Sequence, residues 1–316
     1  MARKKFHLGW FTNFAVDEWE EPFASAGGAP WSGEFYVDLA KALERACFDY
    51  MILEDTLMVS DIYGGGMDRY LRGAIAAPKH DPAPLAAVIA AQTSRLGVVA
   101  TLSTLGYPPF LLARLCATID HIAQGRFGWN IVTSGEDAAA QNFGLDKITE
   151  HDLRYEMADE YVELVGRLFG SWDADAVVLD RQTGTYADPA KVRTVDFNGR
   201  FYRCRGPLNT APLPHGRPVY VQAGGSPRGR DFAARHADSI IAAAGGPEKK
   251  SAPPCAARSS ILHRWNHPHR AVGPSDAGAI GDRGSSVGAL ALRGRPTLAS
   301  DRRARQGRKL PKTNLP

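Results

Sequence analysis

The sequence predicts an α/β protein built as a TIM (β/α)8-type barrel, and three observations carry that prediction. Short, almost wholly apolar runs such as "YMILED" (50–55) and "LGVVATLST" (96–104) recur along residues 1–248 and alternate with helical patterns. Strands apolar on both sides belong to a parallel sheet covered on both faces. Regular β-α repetition leaves a barrel or an open doubly wound sheet. The turn after the first strand, "FTNFAVDEW", lacks the GxGxxG of a dinucleotide-binding open sheet, so the barrel is preferred.

Each element follows in order. "FHLGWF" (6–11) reads as a strand and "EFYVDLAKALERACF" (34–48) as a helix, with Leu39, Leu43 and Cys47 recurring at spacing four. "YMILED" is the second strand, the "GGG" at 64–66 a flexible loop, and "LAAVIAAQTS" (85–94) part of a helix. "LGVVATLST" is the third strand, "FLLARLCATIDHIAQ" (110–124) its helix and "FGWNIVTS" (127–134) the fourth strand. "HDLRYEMADEYVELVGRLF" (151–169) is a long helix with Leu153, Met157, Tyr161, Leu164, Val165 and Leu168 along one side. Its acids Glu156, Asp159 and Glu160 read as a solvated face. After an irregular insertion come "RPVYVQAGG" (217–225) as a strand, "SPRGRDFAARHA" (226–237) as a helix and "SIIAAA" (239–244) as the sixth strand.

Composition supports a buried core, with 44% hydrophobic residues in 316. Cys47, Cys116, Cys204 and Cys255 stand far apart without zinc-like spacing, as reduced thiols of a cytoplasmic protein do. The opening "MARKKFHLGWFTNF" has no apolar core for a secretory signal. The longest apolar run is broken by Gln92, Ser94 and Arg95, which disfavours a membrane partner. Charge divides the chain: residues 249–316 hold 14 Lys and Arg against 3 acids, while residues 1–248 hold 24 against 31. The expected domains are therefore a partial barrel over 1–248 and a basic, low-complexity, disordered tail over 249–316. The tail's arginines lack interleaved aromatics, so a nucleic-acid partner is disfavoured, and its "HRWNHPH" has no fold around it to hold a metal.

In a barrel, chemistry gathers at the C-terminal strand ends. Those positions hold Asn13, Glu54, Asp55, Thr101, Ser103, Asn130, Thr133 and Gln222 to Ser226. Strand alternation predicts that only one of Glu54 and Asp55 faces the mouth, which argues against a shared metal. In "QAGGSPRGRDFAARHA", two glycines close a strand, Ser226 is placed as N-cap and Pro227 as the first helical residue. A helix starting there directs amides and a positive dipole end outward, suiting a phosphate, and Arg228 and Arg230 add positive charge. His151 and Tyr155, four apart, share one helical face.

Read together, "FDYMILED", "FGWNIVTSGEDAAAQNFG", "HDLRYEMADEYVELV", "SWDADAVVLDRQTGTYADPAKV" and "FYRCRGPLNTAPLPHGRPVYVQAGGSPRGRDFAARHAD" resemble the nitrilotriacetate and dibenzothiophene-sulfone monooxygenase family. This is a branch of the bacterial-luciferase-like flavin-dependent monooxygenases, and the resemblance runs from about residue 6 to 248. It implies a TIM barrel binding reduced FMN supplied by a separate NAD(P)H:flavin reductase, with O2 and a small organic substrate. By the same resemblance Asp55, Thr101, His151, Tyr155 and Ser226 contact the flavin, the Ser226 turn holding its phosphate, and Asn130 lines the pocket. No proton-transfer residue is singled out, and substrate identity and any homo-oligomer stay open. Past Glu248 the Arg/Pro/Ala/Gly/Ser-rich text is what an out-of-frame GC-rich gene yields. The expectation is a frameshifted or truncated C-terminus that leaves the barrel incomplete and its activity open.

Overall fold

The computed structural model describes residues 7–12 and 33–241. They belong to the unit Met1–His269; residues 270–316 lie outside the described residues. So do Asn13, Cys255 and the whole 249–316 tail. In chain order the elements are β1 (Gly9–Phe11), α1 (Glu34–Arg45), β2 (Tyr50–Leu53), α2 (Asp68–Arg72), α3 (Pro82–Gln92) and β3 (Gly97–Ser103). Then come α4 (Pro109–Ile122), β4 (Phe127–Val132), α5 (Asp137–Gln141), α6 (His151–Phe169), β5 (Val177–Asp180) and β6 (Thr185–Ala187). The last are β7 (Phe197–Asn198), β8 (Arg203–Cys204), β9 (Val219–Gln222), α7 (Pro227–His236) and β10 (Ser239–Ile240).

Six strands form one parallel sheet in the order β1-β2-β3-β4-β9-β10, every neighbour joined to the next through a helix. This is the consecutive strand order of a barrel wall, not the reversed order of a doubly wound sheet. Alternation along the strands separates two apolar layers. Met51, Leu53, Val98, Ala100, Leu102, Phe127, Trp129, Ile131 and Tyr220 pack with the helices in the main core. Ile52, Val99, Val219 and Val221 form a second, smaller cluster on the concave side. Farther along the strands the concave series turns polar, through Glu54, Thr101, Ser103 and Asn130, all buried. A row of buried polar side chains above an apolar plug is costly unless it serves a ligand or is internally bonded.

Capping explains where the helices begin. Asp81 accepts from the Ala83 amide at 2.8 Å ahead of α3, and Glu150 accepts from the Asp152 and Leu153 amides at 2.9 and 3.0 Å ahead of α6. The C-terminal end of α3 is closed by a distant side chain. Arg126 donates to the carbonyls of Ala90, Thr93 and Leu96 at 2.9, 3.0 and 2.6 Å, locking α3 to the start of β4.

Several elements depart from the sequence pattern. Cys47 is exposed, beyond the end of α1 and in the left-handed region, while Ala40 and Leu43 supply that helix's buried face. The insertion between α6 and β9 contains two antiparallel hairpins, β5-β6 and β7-β8, whose short and mostly exposed strands carry no apolar period. Of the α6 acids expected on a solvated face, Glu156 is exposed, whereas Glu160 acts as a latch. Glu160 accepts from the amides of Arg200, Phe201 and Tyr202 at 2.9, 2.9 and 2.7 Å, and Glu156 pairs with Arg200.

Candidate functional site

The strand ends open into a cavity of about 460 Å³. Its floor is borne by strands, with Thr101 and Ser103 from β3 and Asn130 from β4; its rim is borne by loops, including Leu57, Met58, Ser134 and Glu136, with Ala139 of α5 beside them. The register places Thr101 beside Asn130, and Asn130 Nδ2 donates to Thr101 Oγ1 at 2.8 Å. Thr101 Oγ1 thus accepts a bond and keeps its own proton to donate. Asn130 is 3% exposed, yet its Oδ1 has no hydrogen-bond partner among the described residues. A neighbouring donor and an orphaned acceptor suit a ligand edge that offers both an acceptor and an N–H. The Ser103 and Ser134 hydroxyls share a bond of 2.8 Å, Ser134 holding a left-handed φ of 57°.

Glu54 and Asp55 both line this cavity, correcting the expectation that one would turn away. The reason is local: β2 ends at Leu53, so strand alternation no longer governs the two carboxylates. Their electrostatics differ. Glu54 forms an ion pair with Lys79. The Asp55 carboxyl is pushed up to about 7, chiefly by burial; Lys79 and the Thr56 amide oppose that rise, and Asp81 and Glu54 add to it. The Tyr107 phenol, which donates to Asp81, is pushed up to about 12 by burial and by the charges of Asp81 and Asp55.

A second cluster forms where β9 gives way to α7. Gln222 Oε1 accepts from the Gly224 amide at 2.7 Å and its Nε2 donates to Tyr155 Oη at 3.5 Å. Ser226 caps α7, its Oγ accepting from the Gly229 amide at 3.0 Å, with Pro227 as the first helical residue. Tyr155 is buried beneath this turn, 5.5 Å from Phe232 and 5.2 Å from the His151 ring. A Cβ on either Gly224 or Gly229 would stand 2.7 Å from the Tyr155 hydroxyl, so only glycine permits this closeness. His151 Nδ1 faces Asp152 at 2.6 Å on the outer side. Replacing Ser226 by Ala is expected to cost about 1 kcal/mol, the usual worth of an N-cap, read as a lower midpoint in urea unfolding. An unchanged midpoint would mean that the cap is not holding the turn.

The sequence-derived residues thus fall into two groups. Asp55 and Thr101, with Asn130, meet in the cavity, whereas His151, Tyr155 and Ser226 surround the start of α7; Ala223, which also lines the cavity, joins the two. Thr133 is not among the lining residues. Sequence reasoning missed Ser134 and Glu136, which reach the rim through a loop whose backbone no periodicity reports. It also missed Asp159, which receives Arg228, Arg235 and His236. Among the described residues, no group of three or more His, Cys, Asp or Glu is arranged to hold a metal ion, and no helix is long and apolar enough to cross a membrane.

A family model described as luciferase-like monooxygenase matches residues 7–254. The dibenzothiophene-sulfone monooxygenase of Rhodococcus erythropolis is 46% identical over 217 residues, which is 67% of this chain and 47% of that protein. The long-chain alkane monooxygenase of Geobacillus thermodenitrificans is 40% identical over 208 residues, covering 66% of this chain and 47% of its own length. Among solved structures, a riboflavin lyase with modified FMN and substrate riboflavin superposes with a TM-score of 0.72 at 37% identity, covering 77% of this chain and 55% of that one. The chain spans about half the length of the curated relatives it matches.

Proposed function

Because the chain belongs to the luciferase-like monooxygenase family, we propose that it acts as the oxygenating component of a two-component system. In this reading it binds reduced FMN delivered by an NAD(P)H:flavin reductase and transfers one atom of O2 to a small organic substrate. The observation that carries the reading is the pairing of the two clusters: a cavity floor with an orphaned acceptor, and a glycine-walled, capped helix start joined to it through Ala223. The residues present fit FMN. Thr101 and Asn130 offer a donor and an acceptor to the amide-like edge of the ring, and Asp55 lines the same cavity. The Ser226 turn and the dipole of α7 suit the phosphate, with His151 and Tyr155 beside it.

Bound reduced FMN supplies the two electrons that activate O2, one oxygen atom going to substrate and the other to water. The chain's own work is to hold and shield it. Buried Tyr155 fixes the turn from below through its contact with Gln222. Asp55 is balanced between neutral and ionised forms near neutrality, and so is able to hold or release a proton at its carboxyl oxygens. Phe11, Leu57, Met58 and Val132 contribute an apolar lining to the cavity.

Anaerobic titration with photoreduced FMN, followed by fluorescence, tests this reading directly. Binding with a Kd of about 1 μM or tighter is expected, and absence of binding would overturn it. On the same protein, Asn130→Ala is expected to weaken binding about tenfold through loss of the floor acceptor. An unchanged Kd would remove Asn130 from the site. Loaded protein mixed with O2 and candidate organic substrates then reports oxygen transfer.

A further inference from the structure

One carboxylate gathers three basic side chains beside the α7 turn. Asp159, one helical turn beyond Tyr155 on α6, receives Arg228 at 2.6 Å, Arg235 at 2.9 Å and His236 at 2.7 Å. Arg228 belongs to the first turn of α7, while Arg235 and His236 close its last. A single side chain of α6 therefore grips both ends of α7 and fixes its rotation. Burial pushes the Asp159 carboxyl up, but the bonds from Arg228 and His236 and the charge of Arg235 outweigh it and hold the group below the usual range.

Arg228 stands where a cation is unfavourable. It lies at the positive end of the α7 dipole, and the first turn contains no acidic residue to compensate it. Its guanidinium carbon sits 5.6 Å from the centroid of the Tyr155 ring. Asp159 takes Nη2, whereas Nη1 is buried with no hydrogen-bond partner among the described residues. A buried guanidinium nitrogen left unpaired costs free energy that an anion with acceptor oxygens would recover. Charge, dipole and orphaned donor all point to the same kind of ligand.

We propose that Asp159 is a positioning residue, holding Arg228 over Tyr155 so that Nη1 is left to bind the flavin phosphate, and that this pair makes the site prefer phosphorylated over unphosphorylated flavin. The inference rests on the flavin reading above. It goes further by assigning cofactor selectivity to two residues outside the five expected contacts. Field and position predict opposite signs for Asp159. Removing a negative charge near a phosphate would by Coulomb's law alone tighten binding, whereas releasing Arg228 weakens it.

The test compares anaerobic Kd values for reduced FMN and reduced riboflavin in the wild type, Asp159→Ala, Asp159→Asn and Arg228→Met, with circular dichroism as the check on folding. The wild type is expected to favour FMN by about tenfold or more, the worth of one charge-assisted contact. Arg228→Met should abolish that preference. Asp159→Ala should weaken FMN about five- to tenfold, and Asp159→Asn, which keeps one acceptor oxygen, should weaken it less. Riboflavin affinity should stay within about twofold throughout, because riboflavin has no phosphate for Arg228 to bind. An Asp159→Ala protein that binds FMN as tightly as the wild type, or tighter, overturns the proposal. So does equal loss for both flavins, which would mark a purely structural latch. If the wild type shows no preference for FMN, the phosphate reading of the α7 turn fails as well, so the two failures are told apart.

Discussion

Replacing Asp55 by Asn is expected to stabilise the folded chain above about pH 7 by roughly 2–4 kcal/mol, and to leave it unchanged near pH 4. The sign follows from the raised carboxyl, which titrates at about 7 in the folded protein against 3.8 when exposed. The folded chain holds this proton more tightly than the unfolded one. Stability is therefore whole at low pH, declines as pH rises from about 4 to about 7, and is level beyond. Asparagine cannot ionise, so the variant escapes the decline. Lys79 opposes the rise and its effect is already contained in the value of about 7; the range lies below the full shift because solvent screens a carboxylate that is not fully buried. Urea unfolding of both proteins at pH 4.5, 6 and 8 measures it; parallel curves would show that Asp55 is not buried as an acid. Retention of such a group, at a standing cost to stability, is expected of a site that needs a proton to be mobile near neutrality.

Trp129→Ala is expected to cost about 3–5 kcal/mol, enough to unfold a marginal domain near body temperature. Trp129 is fully buried on β4, edge-on to Tyr220 at 5.4 Å and tilted against Tyr161 at 6.0 Å. Its indole nitrogen donates to the Leu102 carbonyl at 2.9 Å, so truncation also removes a side-chain bond to the neighbouring strand. Trp129→Phe keeps most of the volume and should lose less than half as much. A melting temperature within about two degrees of wild type for Trp129→Ala would contradict this account of the outer core. The loss would reach the site, since the next residue along β4 is Asn130.

The main sheet was legible because each of its longer strands is apolar on both faces. β3, buried along all seven residues, has no other reading, and α6 begins and ends where its apolar stripe does. The capped turn at Ser226 was equally legible, because Gly, Ser and Pro act there through their own backbone preferences. What stayed hidden depends on partners distant in sequence. Asp159 meets Arg228, Arg235 and His236 some seventy residues later, and no pattern within a helix distinguishes it from a solvated acid. The hairpins at Val177–Asp180 and Phe197–Asn198 were missed since their strands are too short for alternation to register. That Glu54 and Asp55 both line the cavity was missed because it depends on where β2 stops. Five expected contacts were named from resemblance, and their division into a floor group and a turn group is a property of three dimensions.

The split of the cavity into a strand-borne floor and a loop-borne rim has a practical consequence. Floor residues are fixed by ladder register and cannot move without slipping a strand, but rim residues such as Leu57, Met58 and Glu136 stand on segments that bear little of the sheet. Libraries confined to 56–58 and 134–136 should therefore retune which molecules enter while sparing foldability. The barrel works as a chassis with exchangeable lips, an arrangement open to both natural drift and laboratory redesign.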